Sequence, residues 1–247
     1  MKTKRIALCA VLAACCLSCS KEHESAGEGS VRFTVADTDG ALVEKTRSNV
    51  SDYTSLPSAA DFSIVVKDAD KTEVYSGLIS GWDASTALQA GSYSVTASYG
   101  AEGTEGFDKP FFTGSTDFTV LGGETTQVSI PVALGNMLVK VAVSESFANY
   151  YSSYDFKITT GNGTEIAFPK GETRAAFIDA YRFTISGTLV SQGGQSSSFS
   201  KEYTGTLEAK TCYTISFDAS NIGGNTVTVS FNGNLTPVEL GDVELNQ

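Results

Sequence analysis

His23 is the only histidine among 247 residues, and it lies in the polar stretch "SKEHESAGEGS" at 20–30. A Ser-His-Asp or Cys-His site needs an imidazole held within a folded body, so neither suits a chain whose one imidazole is in a tether-like segment. Of five cysteines, Cys9, Cys15, Cys16 and Cys19 fall in the first nineteen residues, and Cys212 stands alone in "KTCYTISF". One thiol closes no intramolecular disulfide and builds no cysteine zinc cluster. In a strand-like run it reads as a small packed residue. Two carboxylates suffice for a glycosidase, but the acids fall mostly in turns and no pair stands out. No glycine-rich phosphate loop occurs in a strand–helix setting. The expectation is a protein that is not an enzyme and uses no cofactor or metal. "DADKTE" (68–73) gives Asp68 and Asp70 the acidic spacing of a calcium loop, yet Glu73 stands where the sixth position takes glycine. It reads instead as a hairpin turn, as does "DTDG" (37–40).

Binding residues are easier to nominate. "NYYSSYDF" (149–156) groups Tyr150, Tyr151 and Tyr154 among small polar residues, and Trp82 sits in "SGWDAS". Exposed rings would stack on the apolar faces of a glycan; the ordinary use of such rings is to fill a core. Both readings are open from sequence. Arg47 lies in the polar link "VEKTRSNVSDYTSLPSAADF" (43–62). It is a candidate for trypsin-like cleavage that would free an N-terminal strand, the alternative being an ordinary exposed linker.

The first nineteen residues read "MKTKRIALCAVLAACCLSC". The apolar run from Ile6 to Leu17 is shorter than the roughly 20 residues that cross a bilayer, but it suits the core of a signal peptide. Its end resembles the lipobox of bacterial lipoproteins, with Leu17 and Ser18 before Cys19 and with Cys16 where leucine is usual. The resemblance implies removal of residues 1–18 and a diacylglycerol on Cys19. Each buried methylene contributes about 0.8 kcal/mol, so stable anchoring takes more than one chain. "SKEHE" (20–24) resembles the Lys-then-acidic signal of surface lipoproteins in Bacteroidetes. The expected location is the outer membrane, lipid-anchored and exposed at the cell surface. With the basic leader removed, 14 Lys and Arg face 28 Asp and Glu. A net charge near −14 repels phosphate backbones. Nucleic acid is therefore not an expected partner, and the charge serves solubility.

Apolar–polar alternation runs through the rest, broken at short intervals by turn residues, as in an all-β sandwich. The halves also parallel each other. "DFSIVVKDADKTEV" aligns with "DFKITTGNGTEIAF", setting Phe62 on Phe156, Ile64 on Ile158 and Glu73 on Glu165. "GSYSVTASYG" aligns with "DAYRFTISGT", setting Tyr93 on Tyr181 and Val95 on Phe183; Val128 and Ile130 fall on Tyr213 and Ile215. The expectation is a tether (19–29) and two tandem antiparallel β-sandwich domains, 30–134 and 135–247.

"AGSYSVTASYG" (90–100), "PFFTGSTDFTV" (110–120), "VALGNMLVKV" (132–141) and "KGETRAAF" (170–177) resemble a lipoprotein family of Bacteroidetes known as domain of unknown function 4493. That resemblance implies an envelope location and an Ig-like or fimbrillin-like double sandwich, and it brings no activity or functional residue. Fimbrillin-like lipoproteins assemble by adding a strand to a neighbour's sheet. The expected function is a non-enzymatic surface lipoprotein of adhesion or envelope interaction, such as a fimbrial accessory. The alternative is a glycan-binding protein of a polysaccharide-uptake system. The expected partners are the membrane, through the lipid, and a protein or glycan at the surface.

Overall fold

Valine, isoleucine and phenylalanine at every second position suit a pleated strand that buries one face, and the computed structural model of the chain is built almost wholly on that pattern. It describes residues 27–37, 49–219, 226–231 and 234–239. In chain order the strands are β1 (Glu28–Asp37), β2 (Ser63–Asp68), β3 (Glu73–Leu78), β4 (Leu88–Gln89), β5 (Gly91–Tyr99), β6 (Gly106–Phe107), β7 (Phe112–Val120), β8 (Thr125–Leu134) and β9 (Asn136–Val143). After the one α-helix among the described residues, α1 (Glu145–Tyr150), come β10 (Tyr151–Thr160), β11 (Glu165–Pro169), β12 (Ala176–Asp179) and β13 (Phe183–Ser191). The last are β14 (Ser196–Tyr203), β15 (Cys212–Asp218), β16 (Thr226–Phe231) and β17 (Asn234–Glu239). The "DADKTE" hairpin forms as expected: the Asp68 carboxylate accepts the amides of Asp70 and Thr72, and Lys71 takes the left-handed conformation at φ 63°. The second expected hairpin, 37–40, lies outside the described residues but for Asp37.

Three sheets result, ordered β3-β2-β5-β7-β8-β1-β4, β11-β10-β13-β14 and β17-β16-β15-β9-β12-β6. In the first, β7 and β8 are paired at Phe112–Leu134 and Thr113–Ala133. There β7 passes so close to β8 that a Cβ on Gly114 would strike the Pro131 carbonyl. An all-antiparallel sandwich was expected, and this needs correction. β1 runs parallel to β8 from Ser30–Thr125 to Asp37–Val132, and β9 runs parallel to β15 from Leu138–Cys212 to Val143–Phe217. Alternation fixes which face a residue takes, not the direction of the neighbouring strand, so the sequence carried no sign of it.

The repeat read from sequence reappears as strand register. Ile64 opposes Ala97 and Val66 opposes Val95 in the first half; Ile158 opposes Ile185 and Thr160 opposes Phe183 in the second. Val35 is beside Ile130 as Val141 is beside Ile215. The Tyr93–Tyr181 match diverges: Tyr93 is buried in β5, whereas Tyr181 precedes β13 and is exposed.

Two apolar clusters form the core. One gathers Val31, Phe33, Ile64, Val66, Val95, Val128 and Ile130; the other gathers Phe147, Phe156, Ile158, Phe183, Ile185, Ile215 and Phe217. The β9–β12–β15 sheet lies between them. Met137, Val139, Ala176, Ile178 and Tyr213 face the second cluster, while Leu138, Phe177 and Cys212 face the first. Burial on both faces explains why "NMLV" and "AAFI" are continuous apolar runs rather than alternating ones. Residue 135 separates β8 from β9, and contacts cross that point in both directions, since β6 of the first half pairs with β12 of the second.

Candidate functional site

β1 is the first of the described strands, and its two edges are held very differently. Alternate residues of a strand turn their backbone groups to opposite sides. On the inner edge, Glu28 accepts from the Gly123 amide (2.8 Å) and Ser30 donates to the Glu124 carbonyl (2.9 Å), leading into eight paired positions with β8. Gly29 is required at this entry, because a Cβ there would strike the Leu121 carbonyl.

The outer edge is held by a strap, residues 79–90. It begins as a 3-10 turn, Ile79–Gly81, whose end is fixed by the Trp82 amide donating to the Ile79 carbonyl (3.0 Å). Asp83 then closes a tight turn. Its carboxylate accepts the Ser85 hydroxyl and amide at 2.7 and 2.8 Å, and those bonds hold its pKa below the usual carboxylate range. β4 follows, and the Ala90 amide donates to the Gly27 carbonyl (2.8 Å). The strap grips β1 at Gly27, at the Glu28–Gln89 and Gly29–Leu88 pairs, and at Val31, whose carbonyl accepts the Trp82 indole N–H at 2.8 Å. Among the described residues no backbone partner faces the outer edge at Phe33 or Val35. β9 is the equivalent strand of the second half. Its outer edge carries a true strand, β12, over Asn136–Val139, itself flanked by β6.

Trp82 was one of the expected glycan contacts, and its ring is committed elsewhere. It is half-buried, with Phe33 and Tyr75 packed edge-on at 5.1 and 5.0 Å. The expected tyrosine contacts are packed to different degrees. Stacking on a sugar needs an open ring face, and Tyr151 and Tyr154 are only 5% and 6% exposed. Both pack on Phe147, and burial pushes both phenols above their ordinary pKa. Tyr150 is half-buried edge-on to Tyr151. The cause is α1: the Ser144 hydroxyl accepts the Phe147 amide as its N-cap, and this short turn sets Phe147 at the centre of the aromatics. Tyr154 does reach one wall of a groove of about 360 Å³ lined also by Val141, Val143, Phe156, Phe168 and Glu172, with the Lys170 ammonium 5.4 Å from its ring centre. Trp82 belongs to the first cluster and the tyrosines to the second, so the four do not form one site.

Cys19, His23 and Arg47 lie outside the described residues. Cys212 is fully buried, as its strand setting led us to expect, with its sulfur 3.5 Å from the Tyr53 hydroxyl. No group of three His, Cys, Asp or Glu side chains among the described residues is arranged to hold a metal, and no described helix is long and apolar enough to cross a membrane.

A polar clasp joins the halves beside β6. Glu105 reaches across to accept the Thr160 hydroxyl (2.5 Å) and the Asp179 amide (3.0 Å). Arg174 lies over the Phe107 ring at 4.3 Å, pairs with Glu172 at 2.8 Å and reaches Asp108 at 3.4 Å. The Arg174 guanidinium holds the Glu172 carboxyl down at about 2. Alternation gives no hint of this clasp, since residues 101–111 bear few apolar side chains and read as loop.

Comparison with solved structures finds loose likenesses. The fimbrial anchor protein Mfa2 of Porphyromonas gingivalis is 11% identical, with a TM-score of 0.41 over 85% of this chain and 98% of that one. A candidate cell adhesion protein of Bacteroides eggerthii is 10% identical, with a TM-score of 0.43 over 87% and 96%. A candidate polysaccharide-binding protein of Bacteroides thetaiotaomicron is 13% identical, with a TM-score of 0.42 over 90% and 100%. No curated protein matches the chain. Residues 27–246 match the model of the family described as domain of unknown function (DUF4493), and the chain belongs to that family.

Proposed function

We propose that the chain is a non-enzymatic surface lipoprotein of adhesion or envelope interaction that works through strand pairing, as a fimbrial accessory would. It is carried on a lipid at Cys19 by the tether 19–29, after removal of residues 1–18. Its body is two tandem Ig-like units, 30–134 and 135–247. The observation that carries this reading is the placing of β1. It is the first described strand, paired along its inner edge with β8, while among the described residues its outer edge is held by the strap alone. The link with Arg47 follows it in sequence. A strand bound in this way is exchangeable: cutting the link leaves it attached by hydrogen bonds and packing alone, and a neighbour's strand can offer the same groups.

Limited trypsin digestion tests the exchange. The expected cut follows Arg47, and a fluorescein-labelled peptide of residues 27–37 then replaces the native strand. A cut chain that never takes up the peptide, together with normal adhesion by a deletion strain, overturns the reading. The anchor is tested by growth on labelled palmitate. Label is expected on the native chain and is lost in Cys19→Ala, which leaves the outer-membrane fraction.

A further inference from the structure

We infer that the strap is the gate on β1, with the Trp82 indole as its latch. This deepens the strand-exchange reading and rests on it for its biological sense, but its physical content is separable. A strand leaving the first sheet breaks its bonds to β8 only after its outer edge is clear, because the strap lies along that edge from Gly27 to Val31. The grip has two kinds of member. At Glu28 the side-chain contact is an exposed bond from the Gln89 amide, at 2.7 Å. At Val31 it is a part-buried indole N–H on a backbone carbonyl, with the ring wedged between Phe33 and Tyr75. Solvent competes with the first and much less with the second.

The strap and the strand before it are also bonded away from β1. The Tyr75 hydroxyl donates to the Leu78 carbonyl (2.8 Å), the Ile79 amide donates to the Phe62 carbonyl (2.8 Å), and the Tyr93 hydroxyl donates to the Gln89 carbonyl (2.9 Å). Opening the strap at Trp82 therefore need not disturb β2, β5 or β7. The corresponding strand of the second half, β9, has β12 in place of a strap. Among the described residues, β1 has two strand-paired positions on its outer edge where β9 has four, so the first half holds its leading strand less tightly.

Hydrogen exchange in the intact chain tests the gate without any cleavage. Trp82→Phe keeps an aromatic ring beside Phe33 and Tyr75, removes the N–H and leaves a smaller ring in the same place. Exchange of the Arg32, Thr34 and Ala36 amides, which face β8, is expected to accelerate about tenfold, the worth of one such bond. Amides of β2, β5 and β10 are expected to keep their rates, and Gln89→Ala is expected to stay within twofold of the native chain. Unchanged exchange in β1, equal acceleration in all strands, or an effect of Gln89→Ala as large as that of Trp82→Phe overturns the inference. The labelled 27–37 peptide on trypsin-cut protein separates the two claims. Faster exchange in Trp82→Phe without peptide entry keeps the latch and removes the strand-exchange reading. Faster peptide entry in Trp82→Phe supports both.

Discussion

Glu172 and Tyr203 show how single ionisable groups record their surroundings. Glu172 is held at about 2 by hydrogen bonds from Arg174, against 4.5 when free. A carboxyl depressed by folding adds stability that is present above its unfolded pKa and is lost as pH falls through the folded value. The clasp is thus expected to weaken between about pH 4.5 and 2, and Glu172→Gln to flatten acid unfolding across that interval in urea titrations. Tyr203 is the opposite case. Its hydroxyl is buried without a hydrogen-bond partner, and burial pushes it up to about 12. A phenol raised by folding adds stability that is present below the unfolded pKa near 10 and is lost as pH rises toward 12. Tyr203→Phe removes the unpaired oxygen and keeps the ring on Phe183 and Phe231. It is expected to stabilise by about 1 kcal/mol at neutral pH and to abolish the alkaline loss, read from chemical denaturation.

At the scale of elements, β12 is the most consequential short strand. Ala176 and Ile178 face one core and Phe177 the other, and Phe177 is fully buried in the first although the strand belongs to the second half. Phe177→Ala is expected to cost about 3–5 kcal/mol and to lower the unfolding midpoint of both halves together. Much of this layer was legible in the sequence. The restart of alternation after 134, the correspondence of Ile64 with Ile158, and the "DADKTE" hairpin all follow from period and turn chemistry. The parallel pairs were not, because the β1 and β8 residues that meet lie 95 positions apart and parity does not say which way the neighbour runs. The packing of the aromatics was not legible for a related reason. What covers Trp82 is the β1 carbonyl at Val31, and what covers the tyrosines is a six-residue helix too short to show a period. The strap, with only two residues in strand, gives no alternation to read.

Across the whole molecule, the sheet shared between the two clusters makes the halves interdependent. A fragment of residues 135–247 would expose Leu138, Phe177 and Cys212, which are fully buried in the whole chain. It is expected to bind a hydrophobic dye and to unfold without a sharp transition, whereas the whole chain melts as one unit. Cys212 gives an independent readout. In a chain lacking the first nineteen residues it is the only thiol, and its labelling by an aromatic disulfide reagent is expected to track global unfolding rather than local opening.

The parallel run of β1 beside β8 also decides how the molecule carries load. The start of β1 and the start of β8 lie at the same end, and β8 leaves at the other end straight through Gly135 into the second half. A pull on the N-terminus, opposed by a pull on the second half, drags these two strands lengthwise past each other. All their bonds are strained in shear at once, instead of opening one by one like a zip. The geometry favours a body that resists tension when gripped by its first residues and still lets the same strand go when its outer edge is peeled.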